Sequence, residues 1–396
     1  MKLLKEYKDE INKCSKCGLC QGVCPVFKET GNECAVSKGK FIMLDGVLKG
    51  DLKLNKNINK YLDMCLKCGK CKDFCPSGID VCKIFETAKY VYAKNTLFGK
   101  FIFFLQSRFV FGGILKILKK ISLKQSISTP PYPNPLPQGE GVYEYNPSTL
   151  QPFNPSTKLK LLYFPGCVGN IFPQTRELLK KFPNIEIIER DFDCCGIPFL
   201  SSGNLERYEE VKKHNLKLMD CDFDYILTDC ASCESTLKGY FNSGNRKVES
   251  EKLNNFQLST FNFKLDKFLS LGKLLVISGM KFKSEKPIKV TFHKPCHLEN
   301  TDFIKQLFEN CENVEYIELE GFDDCCGFAG EFALKNPKIS KSISDKKAKN
   351  IINTGADYVI TTCPSCILGL KQGLFRKKNA PKVMNLSEFL LSNFVI

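Results

Sequence analysis

The chain reads as an α+β protein, with a helical N-terminal module on two cysteine ladders and then a pseudo-twofold pair of α/β lobes. Three observations predict this. The spacing C-x2-C-x2-C-x3-C-P occurs twice within the first 76 residues. From residue 158 onward, short apolar runs alternate with amphipathic stretches, the pattern of parallel strands with covering helices. Within that region a five-cysteine pattern repeats, with offsets of 129, 131 and 133 residues from Cys167 to Cys296, Cys194 to Cys325 and Cys230 to Cys363.

The ladders come first. Cys14, Cys17, Cys20 and Cys24 precede Pro25, and Cys65, Cys68, Cys71 and Cys75 precede Pro76. Three thiolates at two-residue gaps suit a tight loop around three irons of a [4Fe–4S] cube, and in two-cluster ferredoxins the fourth cysteine crosses to the other cluster. On that pattern Cys14, Cys17, Cys20 and Cys75 hold one cube, and Cys65, Cys68, Cys71 and Cys24 hold the other. Each Cys-Pro is expected to begin a helix. Structural zinc also uses C-x2-C pairs, but four ligands satisfy it, without a third step or a Cys-Pro. The module spans residues 1–95. A lysine-rich helical stretch over residues 38–61 joins its loops, with Ser37-Lys38-Gly39-Lys40 set to dock the first loop. Cys34 and Cys82 lie outside the ladders and read as small buried hydrophobes.

Residues 96–127 form an apolar, basic helical connector. Its richest part, residues 98–123, is broken by Lys100, Arg108 and Lys116, so no uncharged run approaches the ~20 residues that span a bilayer. Packing against a neighbouring domain is the expectation, and lying in a membrane interface the second reading. Residues 128–157 carry eight prolines and read as a linker.

The first lobe is expected over residues 158–287. It has strands at 159–164, 185–189 and 225–228, and helices at 173–182 and 204–219. The second, over residues 288–396, restarts with a strand at 288–292. A helix near 301–309 follows, then a strand near 314–319, a helix at 337–353 and a strand at 358–361. The cysteines follow strand ends, where α/β sheets gather ligands. The first set is Cys167, Cys194, Cys195, Cys230 and Cys233; the second is Cys296, Cys325, Cys326, Cys363 and Cys366. Adjacent cysteines suit two irons of a larger cluster, and Gly196 and Gly327 permit the turn after each pair. Zinc, or a thiol site without metal, remains open on spacing alone. Of three histidines, His293 and His297 flank Cys296, where a structural role outweighs proton donation. Cys221 and Cys311 read as packed.

Composition bounds the function. With 22 cysteines and no apolar segment among residues 1–10 to serve as a secretion signal, the thiols are expected to be reduced metal ligands in the cytoplasm. The formal charge of +15 counts every cysteine as neutral, whereas an oxidised cube with four thiolates carries about two negative charges. The remaining basicity suits an acidic partner or an anionic lipid surface. Nucleic acid is excluded as the reading, since lysines are scattered and no recognition motif is present.

The five-cysteine sets resemble the cysteine-rich CCG domain, found in heterodisulfide reductase catalytic subunits, where complete sets bind non-cubane four-iron clusters. The whole arrangement, including Cys24-Pro25-Val26-Phe27, Cys75-Pro76-Ser77-Gly78 and Phe164-Pro165-Gly166-Cys167, resembles the iron–sulfur subunit family of glycolate oxidase. That family usually has Ser-Pro-Arg-Gly where this chain has Ser37-Lys38-Gly39, and the Pro-rich insertion is atypical. The resemblance implies an electron-transfer subunit with two [4Fe–4S] clusters and one or two further clusters in the lobes. It also implies an FAD-containing dehydrogenase partner and an acceptor such as quinone; the location expected from the residues is the cytoplasm, with peripheral contact at the inner face of the cell membrane as the second reading. Relatives acting on lactate or glycerol 3-phosphate, and a disulfide reductase with catalytic lobes, are the alternatives. Oxidising a 2-hydroxy acid normally needs a flavin, and no strand–GxGxxG–helix pattern exists here, so the flavin is expected in another chain.

Overall fold

The structure, a computed structural model, describes residues 1–107, 158–166, 174–182, 184–242 and 267–395. Cys167, the Pro-rich stretch and residues 108–123 of the connector lie outside the described residues.

Helices Ser37–Lys49, Lys56–Asp63 and Val81–Lys94 build the N-terminal module around Phe41, Leu44, Ile58, Leu62, Ile84 and Phe85. The helix expected over residues 38–61 is therefore two helices. Gly50 ends the first in the left-handed region at φ 91°, and the Asn55 carboxamide oxygen starts the second by accepting from the N–H groups of Asn57 and Ile58. The two Cys-Pro steps also differ. Pro25 opens the helix Pro25–Thr30, whereas Cys75 enters a turn closed by the Gly78 N–H on its carbonyl at 3.0 Å. Gly78 at φ 58° diverts the chain before a helix can form there.

The described part of the connector is the helix Leu97–Leu105. One face packs, with Gly99 against Ala93 and Phe103 stacked on Tyr90 at 6.3 Å. The other is open, with Phe98 70% and Phe104 63% exposed. No helix among the described residues is long and apolar enough to cross a membrane.

The lobes are two parallel sheets of the same order. β1 (Leu159–Tyr163), β2 (Ile185–Glu189), β3 (Tyr225–Thr228) and β4 (Phe268–Ser270) stand as β2-β1-β3-β4. β5 (Phe282–Phe292), β6 (Cys311–Tyr316), β7 (Tyr358–Thr361) and β8 (Lys382–Asn385) stand as β6-β5-β7-β8, with β9 (Phe394–Val395) antiparallel on β5. Tyr163 pairs with Leu227 as Phe292 pairs with Ile360, so the register repeats as well. β5 begins before residue 288, since Phe282 and Ser284 are buried on one side of a strand that then shifts register. β6 precedes its expected position, because Cys311, rather than the apolar residues after Tyr316, pairs with Phe282. In both sheets the order turns at the first strand, which opens a crevice beyond the strands' C-terminal ends.

Shared cores join the parts. Leu161, Leu227, Phe292, Ile360 and Phe389 belong to one core spanning both sheets. Ile84 and Phe85 of the first module share another with Phe199 and Tyr208 of the first lobe. Val26 and Leu66 pack with Cys325, Phe332 and Ile343 of the second lobe.

Candidate metal centres

The two ladder loops fold alike. Lys16 and Lys67 take φ of 58° and 52°, and Gly18 and Gly69 follow the next cysteine at 86° and 79°. Paired left-handed residues curl the backbone tightly enough to turn successive thiols inward. One cavity is lined by Cys14, Cys17, Cys20 and Cys75. A second is lined by Cys24, Cys65, Cys68, Cys71 and also Cys82. Each thus gathers three thiols of one ladder with the fourth of the other, and Cys71 touches both walls.

The cavities differ in depth. Cys17 is exposed, and its thiol is held below its ordinary range by the Leu19 N–H and the Ser15 side chain. Burial, with the nearby Cys296 thiol, pushes Cys68 up to about 12; burial and Cys65 do the same to Cys71. Thiolates this crowded need a cation among them, as a donor set for iron does. Ser37 and Lys38 begin their helix between the cavities. The Ser37 side chain bonds Cys71 and the Lys38 N–H bonds Cys20, while Lys40 Nζ donates to the Met64 carbonyl at 2.8 Å. Donors to cluster sulfur and a helix N-terminus both favour added negative charge. Gly39 is fixed by contact, since a Cβ there would lie 2.1 Å from the Glu33 carbonyl oxygen.

The lobes present their cysteines where the strands end. Gly196 and Gly327 sit at φ 93° and 82°, and each directs its N–H at the first thiol of its pair, at 3.5 Å to Cys194 and 3.4 Å to Cys325. Behind the first pair, Tyr240 donates to the Cys195 carbonyl at 2.8 Å and Asn215 to that of Cys194 at 3.1 Å. In the first lobe the thiols of Cys195, Cys233 and Cys230 are in contact. In the second, Cys296 meets Cys325, Cys325 meets Cys326, Cys326 meets Cys366, and Cys366 meets Cys363. The Cys325 and Cys366 thiols donate to Cys326 and bring it down to about 5.

The two sets are not separate. Cys230 touches Cys363 across the seam between the lobes, and the Ala231 N–H donates to the Thr362 carbonyl at 2.9 Å. Cys68 of the second ladder lies within electrostatic reach of Cys296 and Cys325. Sulfur therefore runs almost unbroken from the ladder cavities into both lobes. At the junction, a His297 ring nitrogen donates to the Lys67 carbonyl at 3.0 Å, and the other lies 3.1 Å from the Ser232 hydroxyl, itself 3.5 Å from Cys363 Sγ. His293 is fully buried beside Cys326 and Cys366, and burial drives its ring down to about 3, so it stays neutral.

Some of this was hidden in the sequence. Cys82 stands outside both ladders, yet it is half-buried and lines the second cavity, where burial and Cys65 push its thiol well up. Its position on the helix that follows the second Cys-Pro is the only signal. Ser232, inside the C-x2-C of the first lobe, carries no signal of its own. Cys311 is buried and Cys221 half-buried in the lobes, and Cys34 is half-buried beside Gly39.

Comparisons with known proteins agree with this architecture. Residues 10–79 match the 4Fe-4S dicluster domain family, and residues 161–238 and 290–371 each match the cysteine-rich CCG domain family. The chain is 25% identical to the probable glycolate oxidase iron-sulfur subunit of Bacillus subtilis, over 98% of this chain and 95% of that protein. It is 26% identical to a fumarate reductase (CoM/CoB) subunit from Methanothermobacter marburgensis, over 98% of this chain and 73% of the relative. A crystal structure of a hypothetical protein from Helicobacter pylori shares the fold, with a TM-score of 0.51 at 10% identity over 90% of this chain and 66% of that one.

Proposed function

The chain is an iron–sulfur subunit of the oxidoreductase kind, a 4Fe-4S dicluster domain joined to two cysteine-rich CCG domains, and from that premise we propose that it conducts electrons for a flavin-dependent 2-hydroxy-acid dehydrogenase, with glycolate as substrate. The single observation that carries this is the run of thiols from the exposed Cys17, through the half-buried Cys68, to Cys296 and across Cys363 to Cys230. A flavoprotein partner would take two electrons from the substrate as hydride and release them singly, because clusters accept one at a time. Cys14, Cys17, Cys20 and Cys75 would hold one cube, and Cys65, Cys68, Cys71 and Cys24 the other. The ten lobe cysteines would hold further iron and extend the path. The acceptor, a quinone or another carrier, would draw electrons at the exposed end.

Two variants test the path. Cys17→Ser or Cys68→Ser is expected to stop acceptor reduction while glycolate still reduces the partner's flavin. Full acceptor reduction in both variants would refute conduction through these clusters.

A second reading has its own support, since both five-cysteine sets are complete and one relative belongs to a CoM/CoB fumarate reductase. In it, the lobes reduce a disulfide themselves. Disulfide turnover separates the two: a catalytic lobe reduces a disulfide in the wild type and loses all of that turnover in Cys195→Ala, whereas a lobe that only conducts electrons shows no disulfide turnover in either protein.

A further inference from the structure

The two lobes repeat each other in strand order, register and cysteine position, so the places where they differ are informative. One difference lies inside the metal sites. The residue after β1 is Phe164, whose N–H donates to the Leu227 carbonyl at 2.8 Å. The residue after β5 is His293, whose N–H donates to the Ile360 carbonyl at 2.9 Å. Each stands three residues before the first cysteine of its set, so the two positions are equivalent. Phe164 is fully buried and packs on Phe192 with ring centroids 4.9 Å apart. In the second lobe both rings are replaced, Phe164 by His293 and Phe192 by Asp323.

An imidazole in place of a phenyl ring carries two nitrogens that burial strips of water. Both nitrogens of His293 are buried with no hydrogen-bond partner, in a residue with no exposure at all. Buried polar groups in folded proteins find partners, and orphans call for a specific reason. His297 and His214, the other two histidines, do have partners, at the Lys67 and Asp191 carbonyls. The ligand atoms of His293, Cys326 and Cys366 all lie within 4.8 Å of one another. Small side-chain rotations bring such a group to one ion at the usual ~2.0–2.3 Å.

We propose that His293 is a metal ligand, joining Cys326 and Cys366, so that the second lobe binds its metal through nitrogen and sulfur while the first lobe offers sulfur alone. The chemistry is that of a borderline metal ion, iron in a cluster or zinc, both of which accept imidazole beside thiolate. This rests on the lobes carrying metal and not on the substrate of the complex. Where the ion is iron, exchanging thiolate for neutral imidazole removes a negative charge and raises the reduction potential, as in Rieske centres. The second lobe, adjoining Cys68, then becomes the favoured resting place of an electron on its way between the ladders and the first lobe.

The test uses the full chain purified anaerobically from cells fed 15N-histidine, and compares wild type with His293→Cys and His293→Phe. Pulsed paramagnetic resonance on the reduced protein reads nitrogen bound to iron, and X-ray absorption at the iron and zinc edges reads which metal has a nitrogen neighbour. Wild type is expected to show one histidine nitrogen at one of the two edges. His293→Cys is expected to keep the metal content and lose the nitrogen, and His293→Phe to lose both the nitrogen and the metal of that lobe. A nitrogen at the zinc edge identifies the ion as zinc with His293 still its ligand. An all-sulfur environment at both edges in wild type would overturn the assignment, as would a nitrogen signal that persists in His293→Cys.

Discussion

One buried ammonium ties the three parts of the molecule together, and removing it has a calculable effect. Lys89, on the helix Val81–Lys94, places Nζ 2.7 Å from Asp63 of its own module and 3.5 Å from Glu331 of the second lobe. It also donates to the Ser201 carbonyl of the first lobe. Its side chain is 8% exposed and that of Asp63 11%, so solvent screens the pair little. Burial alone would raise the Asp63 carboxyl, but Lys89 and Lys335 together outweigh it and hold the group below its ordinary range. Lys89→Met keeps the stem and deletes the charge. Removing one partner of a buried pair costs about 3–5 kcal/mol, and the low end applies here because Lys335 remains 3.0 Å from Asp63. About 3 kcal/mol corresponds to a roughly 150-fold rise in the population of the opened state, which hydrogen exchange reads directly. Amides of residues 197–202 and 331–335 should exchange faster by that factor, with iron content unchanged. Lys49→Met, which removes an exposed partner of Asp45, should change them by about twofold or less. A rise below about threefold in Lys89→Met would refute the reasoning that this clamp holds the lobes on the first module.

Four more outcomes follow from the same geometry. Because the Asp63 carboxyl is depressed, its contribution is complete above about pH 4, the ordinary carboxylate value, and disappears as pH falls through the lowered value. Acid should therefore loosen the wild type below about pH 4 and change Asp63→Asn much less, as read by the same exchange. Gly196→Ala should destabilise by about 2 kcal/mol, since φ is 93° and the new Cβ would lie 2.7 Å from Tyr208; Gly327→Ala meets the Ser340 carbonyl at the same distance, and thermal unfolding checks both. Cys82→Ala should retain the iron of the second cube, whereas Cys65→Ala should lose about four irons, both measured by metal analysis. His297→Ala should slow cluster-to-cluster transfer in a stopped-flow experiment without loss of iron, because the Lys67 loop loses its tie to Ser232 and Cys363.

Much of this could be read in the sequence because its signals are local or periodic. Strands β2, β3 and β7 and the helix Pro337–Asn353 lie where alternation and proline placed them. The repeat was carried by the cysteines, whose offsets survive even where the residues between them differ. The short helix Ile197–Ser202 and the strand Phe268–Ser270 escaped, since neither is long enough to show a period. The long helices Ala231–Asn242 and Pro364–Leu374 escaped because their first turns carry the C-x2-C steps, which read as loop. Meetings between distant segments were beyond reach. Nothing in the spacing places Cys230 against Cys363, Cys68 near Cys296, or the Ser232 hydroxyl beside His297. These depend on how the lobes face each other and on how the first module seats at their seam. Lys67, Lys89 and Lys347 look like surface charge in the sequence. Each is instead largely buried and bonded to backbone carbonyls that only the packed chain supplies.

The most direct test of the central claim is an anaerobic titration of the chain, purified with its flavoprotein partner, with glycolate while the cluster absorbance and paramagnetic signals are recorded. The account predicts that glycolate reduces the flavin and then bleaches the clusters to the extent that dithionite does. A flavin fully reduced by glycolate beside clusters that stay oxidised, although dithionite reduces them, would contradict it.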